Sequence, residues 1–350
     1  MSHVVKKRKL DKSRQDRIYF DSYTDVTIHE EMIADHVRMN TYRTAILKCS
    51  EWIRDKVVLD VGAGTGVLSI FCVQAGARKV YAVEACSIAE QAENIIKQNQ
   101  MDDKIEVIRG TVETVELPEE VDVIVSEWMG YALLHESMLD SVLYARDKWL
   151  TKPGGIVLPD RAELYITPIM EPVVENRLHF WCTIKDQYGV DMSCMSEFAR
   201  KCIKNSDITV NTVTVEDVLS HPVRFAELDL TTVTVEQLRS LKGHFRCDSF
   251  GSAVVNAFCV YFDVSFSCPE KPVVLSTSPF QPETHWKQAV LYLDEPVEVI
   301  QDTAVSGEVS LFPSEHSARH LCIHLEYRIG EVKQESKTFS IPDWTSEDQL

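Results

Sequence analysis

The segment from Val57 to Gly66 constrains the fold of this chain more than any other. Val57–Val61 is a short, largely β-branched run, and it ends at a turn that carries Gly62, Gly64 and Gly66. A helical pattern resumes at once from Val67 to Gln74. A strand, a glycine-rich turn and a helix in this order are typical of the first unit of a parallel α/β sheet.

The same alternation continues on both sides of this segment. Apolar residues at helical spacing predict a helix before it, from about Glu30 to Ser50. After it come a strand, a helix and two more strands: Lys79–Val83, Ile88–Gln98, Ile105–Ile108 and Val121–Val125. Strands that alternate with helices predict βαβ units, so we expect an α/β, Rossmann-like domain with helices on both faces of a parallel sheet.

The pattern changes after Pro153-Gly154-Gly155, where strand-like segments dominate. They are Glu163–Thr167, Ile208–Val215, Val254–Phe266, Val273–Ser276, Ala289–Leu293, Val309–Phe312 and His320–Tyr327. Short strands separated by turn residues predict a β-barrel-like second domain. A mainly helical, aromatic-rich insertion at about 175–204 interrupts it. The predicted organisation is a basic flexible tail (1–16), lid helices with the Rossmann-like domain (17–155), the β-barrel-like domain (156–343) and a flexible tail (344–350).

Composition restricts the partners. The 350 residues carry a net charge of -18, which argues against direct nucleic-acid binding and favours cationic partners, although acidity also serves solubility alone. The ten cysteines show no C-x-x-C pair and suit a reducing compartment, and the sequence predicts neither a signal peptide nor a membrane span. One basic run, Lys6–Lys9, is either a nuclear import signal or a solvated tail.

The glycine turn predicts a cofactor site at the carboxyl edge of the sheet. Its spacing places Val67 where a dinucleotide fingerprint has its third glycine, which disfavours NAD or FAD. Glu84 ends the second strand 22 residues after Gly62, where a carboxylate can accept hydrogen bonds from a ribose diol. Together with Asp60 and Gly64, these residues predict a ribose-containing cofactor without phosphates, and S-adenosylmethionine fits that description.

A second group of residues predicts the substrate. Glu127 and Glu136 follow the strand Val121–Val125, and the apolar bulk of Trp128 and Tyr131 surrounds them. Paired carboxylates in apolar surroundings match the fixed charge and planar donors of a guanidinium. We therefore expect arginine as substrate, with the pair leaving one nitrogen free to attack a sulfonium methyl group.

With these residues in view, the sequence resembles the type I protein arginine N-methyltransferases from about residue 17 to 343. Val58–Gly66 resembles the glycine motif of the family, and Glu127–Glu136 resembles its double-glutamate loop. Tyr19–Tyr23 together with Ile28–Met32 resembles the N-terminal cofactor lid, and Thr284-His285-Trp286 resembles the threonine-histidine-tryptophan loop.

The resemblance implies roles for further residues. His29 and Arg38 would contact the methionine end of the cofactor, and Arg38 would pair with its carboxylate. Val112 and Glu113 would border the adenine. His285, paired with Asp35, would be a proton acceptor or would shape the site. The implied cofactor-binding residues are His29, Arg38, Asp60, Gly62, Gly64, Glu84, Val112, Glu113 and Met138, and the implied substrate-pocket residues are Tyr19, Tyr23, Met32, Trp128, Tyr131 and Trp286.

The resemblance also implies the product and the partners. Met32 and Met138 would shape the acceptor pocket so that monomethyl and then asymmetric dimethyl arginine form, with S-adenosylhomocysteine as by-product. The helical insertion would make the protein a homodimer. The stretches Val83–Ala85, Val112–Pro118 and Tyr188–Met192 resemble a nuclear branch of the family that acts on histone H3 tails.

Other interpretations remain to be weighed against this one. His316, His320 and His324 have the spacing of a helical metal site, but strand-period alternation around them disfavours it, and no metal is expected. A methyltransferase for small metabolites would share the cofactor half without needing both glutamates. An NAD-dependent oxidoreductase is disfavoured by Val67, and a non-catalytic scaffold by Glu127 and Glu136.

Overall fold

The structure is a computed structural model that describes residues 12–341, apart from Lys204, Ser206, His316 and 332–333. The basic run Lys6–Lys9 and the predicted tail 344–350 therefore lie outside the described residues. The helices are α1 (Lys12–Ser22), α2 (Val26–Ala34), α3 (His36–Lys48), α4 (Ser50–Ile53), α5 (Val67–Gln74), α6 (Ala89–Gln98), α7 (Leu139–Trp149), α8 (Val173–Tyr188), α9 (Met195–Ile203) and α10 (Val235–Leu238). None of these helices is long and apolar enough to cross a membrane.

The first sheet has five parallel strands in the order β3-β2-β1-β4-β5. Its strands are β1 (Val57–Val61), β2 (Lys79–Glu84), β3 (Ile105–Arg109), β4 (Val123–Val125) and β5 (Ile156–Leu158). Strand β1 is buried along its whole length, as expected for the centre of a sheet with helices on both faces. The predicted Rossmann-like fold is confirmed.

The second half of the chain is antiparallel, and it confirms the β-barrel-like prediction. The strands are β6 (Arg161–Ile169), β7 (Thr209–Asn211), β8 (Val223–Asp229), β9 (Leu241–Asp248), β10 (Ala253–Phe266), β11 (Val273–Ser276), β12 (Gln288–Val299), β13 (Ala304–Pro313), β14 (Leu321–Ile329) and β15 (Glu335–Ser340). One sheet contains β7-β12-β10-β6-β8 with β11 beside β10, and the other is β15-β14-β13-β9. Phe258 of the first packs against Phe245 and Tyr327 of the second, so the two sheets share one apolar interior.

Four details differ from the sequence predictions. Strand β5 pairs with β4, so the parallel sheet extends past the boundary predicted at residue 155. The helix predicted over 30–50 is divided at Asp35, whose extended backbone ends α2 and whose carboxylate caps α3 through the Arg38 N–H. The strand predicted over 208–215 is limited to β7, and a 3₁₀ turn, Val215–Asp217, follows.

The fourth difference concerns the predicted flexible tail 1–16. Residues 12–16 lie in α1, because that helix is anchored to the second domain. The Asp16 carboxylate lies 2.7 Å from Nη2 of Arg319, and Gln15 accepts a hydrogen bond from the Ala318 N–H.

Strand β14 alternates buried and half-buried residues, which confirms the strand period that disfavoured a helical histidine cluster.

The two domains are joined by packing and hydrogen bonds. Tyr42 of α3 packs edge-on against Phe266 of β10, with ring centroids 4.9 Å apart. Arg146 of α7 donates through Nη1 to the carbonyls of Leu230 (2.9 Å) and Val233 (2.7 Å).

Helices α8 and α9 form the predicted insertion. Its exposed aromatic residues include Phe180 and Phe198, which are 49% and 62% exposed.

Candidate active site

A cavity of about 500 Å³ opens at the carboxyl edge of the parallel sheet, beneath α1 and α2. Its walls come from the β1–α5 turn, the ends of β2 and β4, the loop before α7, and the lid helices. This volume falls within the range of small-molecule sites. The position is the one where ligands bind in open α/β sheets.

The glycine turn brings the backbone to the cavity wall. Gly62 and Gly64 have φ values of 70° and 54°, a region that non-glycine residues rarely adopt. A Cβ added to Gly62 would lie 2.2 Å from Cε of Met138. The backbone conformation therefore requires glycine at Gly62, whereas the Met138 methyl is the end of a flexible side chain that can move aside.

Glu84, at the end of β2, is buried and held by the same turn. One carboxylate oxygen accepts the Gly64 N–H and the other accepts the Cys86 N–H, both at 2.7 Å. A carboxylate has about four acceptor positions, so each oxygen can accept one more hydrogen bond from a ligand in the cavity. Glu84 thus fixes the turn and presents acceptors for a diol.

Asp60 lies behind the cavity rather than on its wall. It is fully buried in β1, and its Oδ2 accepts a 2.7 Å hydrogen bond from the Ser69 hydroxyl. Burial and the nearby charge of Glu84 raise the pKa of Asp60 to about 7, against the effect of the Ser69 hydroxyl. Asp60, predicted as a cofactor-binding residue, thus lies behind the glycine turn, where it bonds to α5, and does not reach the wall.

Glu127 follows β4 and forms a buried ion pair with Arg38 of α3. Its Oε2 accepts from Nε and Nη2 of Arg38 at 3.1 and 3.0 Å, and its Oε1 accepts the Met129 N–H. Nη1 of Arg38 donates to the Met32 carbonyl and to Sδ of Met39. A guanidinium has five N–H groups, so Arg38 keeps a single one, on Nη2, for a ligand. In this conformation, the pairing with a cofactor carboxylate that the resemblance implied would therefore use this one N–H.

Glu136 lies in the loop before α7 and points into the same cavity. Its Oε2 accepts a 2.7 Å hydrogen bond from the Tyr23 hydroxyl. Burial raises the pKa of Glu136, and the charge of Glu127 adds to this effect, while the tyrosine hydroxyls and Arg319 oppose it. A cation bound beside Glu136 would favour its ionised form.

The charge balance of the cavity favours a cationic ligand. Among the described residues of its wall, every arginine is already paired with an acid: Arg38 with Glu127, Arg239 with Asp140, and Arg319 with Asp16. Three carboxylates of the wall form no ion pair with a described cation; they are Glu84, Glu113 and Glu136. The wall therefore carries excess negative charge, which suits positively charged ligands.

His285 and Asp35 pair with each other at the junction of α2 and α3. Nδ1 of His285 lies 2.7 Å from Oδ2 of Asp35, and the same oxygen accepts the His285 backbone N–H. Burial alone would raise the pKa of Asp35, but hydrogen bonds from His285 and from the Arg38 backbone lower it. The neighbouring Trp286 is buried and donates through Nε1 to the Met129 carbonyl. This group therefore joins the β11–β12 connection to the lid and the double-glutamate loop.

The structure places most of the predicted site residues around one cavity. Those on its wall are Tyr19, Tyr23, His29, Met32, Arg38, Gly62, Gly64, Glu84, Val112, Glu113, Glu127, Trp128, Glu136 and Met138. Five others do not reach the wall: Asp35, Asp60, Tyr131, His285 and Trp286. The ring of Tyr131 stacks on His135 instead. Within the described ranges no group of three or more histidine, cysteine or acidic side chains has metal-binding geometry.

Among the wall residues that sequence analysis missed are Asp16 and Arg319. They pair with each other across 303 positions of sequence. Asp16 fell in the segment predicted as a flexible tail, and Arg319 lies in a polar hairpin between β13 and β14. The only available signal was a basic residue in an otherwise acidic chain, which does not locate a site.

Two family models match the chain. Residues 160–332 match the arginine methyltransferase oligomerization subdomain, and residues 45–147 match the ribosomal protein L11 methyltransferase model. These matches correspond to the β-barrel-like domain with its helical insertion and to the core of the Rossmann-like domain.

Curated and solved relatives span almost the whole chain. It is 70% identical to protein arginine N-methyltransferase 6 of Danio rerio over 97% of both chains. It is 54% identical to the Xenopus tropicalis protein of that name, over 97% of this chain and 99% of the other. A chain of the Trypanosoma brucei protein arginine methyltransferase 1 enzyme–prozyme heterotetramer, solved with S-adenosylhomocysteine, matches with a TM-score of 0.83 and 34% identity; the match covers 92% of this chain and all of that one.

Proposed function

This chain belongs to the protein arginine N-methyltransferase family, and on that premise we propose that it methylates arginine by means of Glu127 and Glu136, with S-adenosylmethionine in the adjoining glycine-turn pocket. The observation that carries the proposal is that Glu84, Glu127 and Glu136 all line the same cavity. The transfer of methyl groups to arginine itself follows from the family.

The residues of the pocket fit this cofactor. Glu84 keeps acceptor positions for two ribose hydroxyls, and Gly62 allows a ligand to lie against the backbone. His29 and Arg38 both line the cavity, and the free N–H on Nη2 of Arg38 can bind a carboxylate. Val112 and Glu113 also line it. In its bound form the cofactor supplies an electrophilic methyl group on a sulfonium.

The two glutamates bind and polarise the substrate guanidinium. Both lie in apolar surroundings, where a carboxylate–guanidinium interaction is stronger than in water. Glu136 has no described cationic partner of its own, and Glu127 can share its charge between Arg38 and the substrate. By drawing the positive charge toward the nitrogens that they hold, the pair leaves the remaining nitrogen more nucleophilic.

The remaining residues of the site exclude water and shape it. Tyr19, Tyr23 and Trp128 line the cavity and cover the carboxylates. His285, Asp35 and Trp286 lie outside the wall, so we assign them to shaping the site rather than to proton transfer at the reacting atoms. Tyr131 takes the same supporting role through its stack on His135.

We expect asymmetric dimethyl arginine as the final product. Met32 and Met138 line the cavity and are flexible enough to leave room for a second methyl group on the same nitrogen. Mass spectrometry of a histone H3 tail peptide after incubation with S-adenosylmethionine should show monomethyl and then dimethyl arginine, with fragment loss of dimethylamine. A peptide with lysine in place of every arginine should stay unmodified. Symmetric dimethyl arginine as the main product would reject this assignment.

We propose a homodimer assembled through the arm formed by α8 and α9. The arm carries an apolar groove lined by Phe180, Trp181, Met195 and Phe198, and this region lies within the match to the family oligomerization subdomain. In this dimer the arm of one copy would dock on the cofactor domain of the other. The contact would bury the groove residues and stabilise the lid of the copy whose cofactor domain is contacted.

Sedimentation velocity can test this assembly. The double variant Phe180→Asp/Phe198→Asp should sediment as a monomer at micromolar concentration and turn over more slowly, because buried charges disrupt an apolar interface. Phe280→Asp is the matched control, since Phe280 is 47% exposed on the β-domain and should leave the dimer intact. A wild-type monomer with full activity would contradict the proposal.

We also propose that the protein acts in the nucleus, on arginine-rich tails such as those of histones. The net charge of -18 favours basic substrates, and Lys6–Lys9 has the composition of an import signal. Replacing these four residues with alanine should move a fluorescent fusion from the nucleus toward the cytoplasm. An unchanged nuclear fraction would show that this run is not the signal.

A further inference from the structure

One arginine outside the double-glutamate loop holds three distant segments together. Nε and Nη2 of Arg319 donate to Oδ1 of Asp16 in α1, at 2.9 and 2.7 Å. The guanidinium lies 4.0 Å from the ring centroid of Tyr19, also in α1. Nη1 donates to the Glu136 carbonyl at 2.9 Å. A single side chain thus connects the β13–β14 hairpin, the lid helix and the double-glutamate loop.

The contacts with Glu136 act on a strained part of the backbone. Glu136 and Ser137 have φ values of 74° and 56°, which non-glycine residues adopt only when their surroundings enforce it. The Glu136 N–H donates to the Arg319 carbonyl at 2.7 Å, so both backbone polar groups of Glu136 bond to Arg319. The Ser137 hydroxyl donates to the Ala318 carbonyl at 2.6 Å. The hairpin therefore fixes the direction of the Glu136 carboxylate.

The lid also contacts both Glu136 and the β13–β14 hairpin. Tyr23 donates its hydroxyl proton to the Glu136 carboxylate, and Gln15 accepts from the Ala318 N–H. Helix α1 cannot leave the cavity without breaking the Asp16–Arg319 ion pair. Lysine could not replace this arrangement, because three N–H groups of one planar guanidinium serve two acceptors while its cationic centre lies over an aromatic ring.

We propose that Arg319 is a positioning residue that couples closure of α1 over the cavity to the orientation of Glu136. This inference rests on the proposed role of Glu136 in binding the substrate guanidinium. Arg319 acts through Glu136 and the lid, and neither the cofactor nor the substrate needs to touch it.

The same residue affects the ionisation of Glu136. The groups that face this carboxylate are Tyr19 and Tyr23 from α1 and the turn after it, Glu127 from the end of β4, and Arg319 from the hairpin. Burial and Glu127 raise the pKa of Glu136, whereas Arg319 lowers it. Removing the positive charge should raise this pKa further. Because the ionised form binds substrate, the acid limb of the pH–activity profile should then move to higher pH.

The test compares Arg319→Ala, Arg319→Lys and Asp16→Asn with the wild type. For Arg319→Ala we expect kcat on an arginine peptide to fall by about 10- to 100-fold, since small displacements of a catalytic group have effects of this size. The cofactor Kd should increase, and the acid limb should move to higher pH. Arg319→Lys should restore the acid limb but not kcat. Asp16→Asn should weaken cofactor binding, because it releases the lid from Arg319.

Arg328→Ala is the matched control, since Arg328 is exposed on β14 and pairs only loosely with Glu331, at 3.8 Å. It should change none of these quantities. Wild-type kcat for Arg319→Ala, or a loss of kcat with an unmoved acid limb, would overturn the proposal. Glu136→Gln, assayed in parallel, separates the role of Glu136 from the role of Arg319. Full turnover in Glu136→Gln would reject the binding of the guanidinium by Glu136. Lost turnover in Glu136→Gln together with wild-type turnover in Arg319→Ala would reject only the role of Arg319. If Arg319→Ala does not fold, Arg319→Lys and Asp16→Asn still carry the test.

Discussion

Glu136→Gln and Glu127→Gln should each fold normally and lose turnover by about 100-fold or more, comparable to the loss of one electrostatic contact in other active sites. A neutral amide cannot balance the fixed charge of a guanidinium, and its NH₂ group is a donor facing other donors. The measurement is kcat on a single-arginine peptide at saturating cofactor, with circular dichroism to confirm the fold.

The two variants should differ in cofactor binding. Glu136 bonds to Tyr23 but not to Arg38, so Glu136→Gln should leave the cofactor Kd close to the wild-type value. Glu127 orders Arg38 through Nε and Nη2, so Glu127→Gln should weaken cofactor binding as well. Glu106→Gln serves as control, because Glu106 is an exposed partner of Lys79 on the sheet edge. Near wild-type turnover in either active-site variant would remove that residue from the clamp.

Glu84→Ala should weaken S-adenosylmethionine binding by about 10- to 100-fold, which corresponds to hydrogen bonds with a charged acceptor worth about 1.5–3 kcal/mol. Two effects combine: the ribose loses its acceptors, and the N–H groups of Gly64 and Cys86 lose the carboxylate that fixes the turn. Isothermal titration calorimetry on the folded variant gives the affinity.

Glu84→Gln separates these effects. Its side-chain oxygen keeps one acceptor of similar shape, so its affinity should fall between those of the wild type and Glu84→Ala. Equal affinity in all three proteins would mean that the ribose binds elsewhere and that Glu84 only supports the turn.

The local patterns of the first domain were sufficient to predict its fold. The β-branched run Val57–Val61 forms β1, and the glycines that follow it form the turn. Both features could be predicted because strand propensity and tolerance of positive φ are properties of these residues themselves. Glu84 could be predicted as a site residue for the same reason, since it ends the next strand of the βαβ unit. Glu127 and Glu136 were predicted because their loop leaves β4 directly.

The features that the sequence did not predict depend on contacts between distant residues. The break at Asp35 exists because its carboxylate binds His285, 250 positions later. Helix α1 begins within the predicted tail because Asp16 meets Arg319. The left-handed backbone at Glu136 is likewise held by Arg319, so neither local propensity nor periodicity could indicate it.

Recognition of the guanidinium charge by Glu127 and Glu136 is the central claim, and peptide binding tests it most directly. Calorimetry in the presence of S-adenosylhomocysteine should compare a single-arginine peptide with the same peptide carrying citrulline, which is neutral and of nearly the same shape. We predict that the wild type binds the arginine peptide at least about tenfold more tightly, as expected for charge-assisted hydrogen bonds, and that the preference disappears in Glu127→Gln/Glu136→Gln. Equal affinity of the wild type for both peptides, or an unchanged preference in the double variant, would contradict the account.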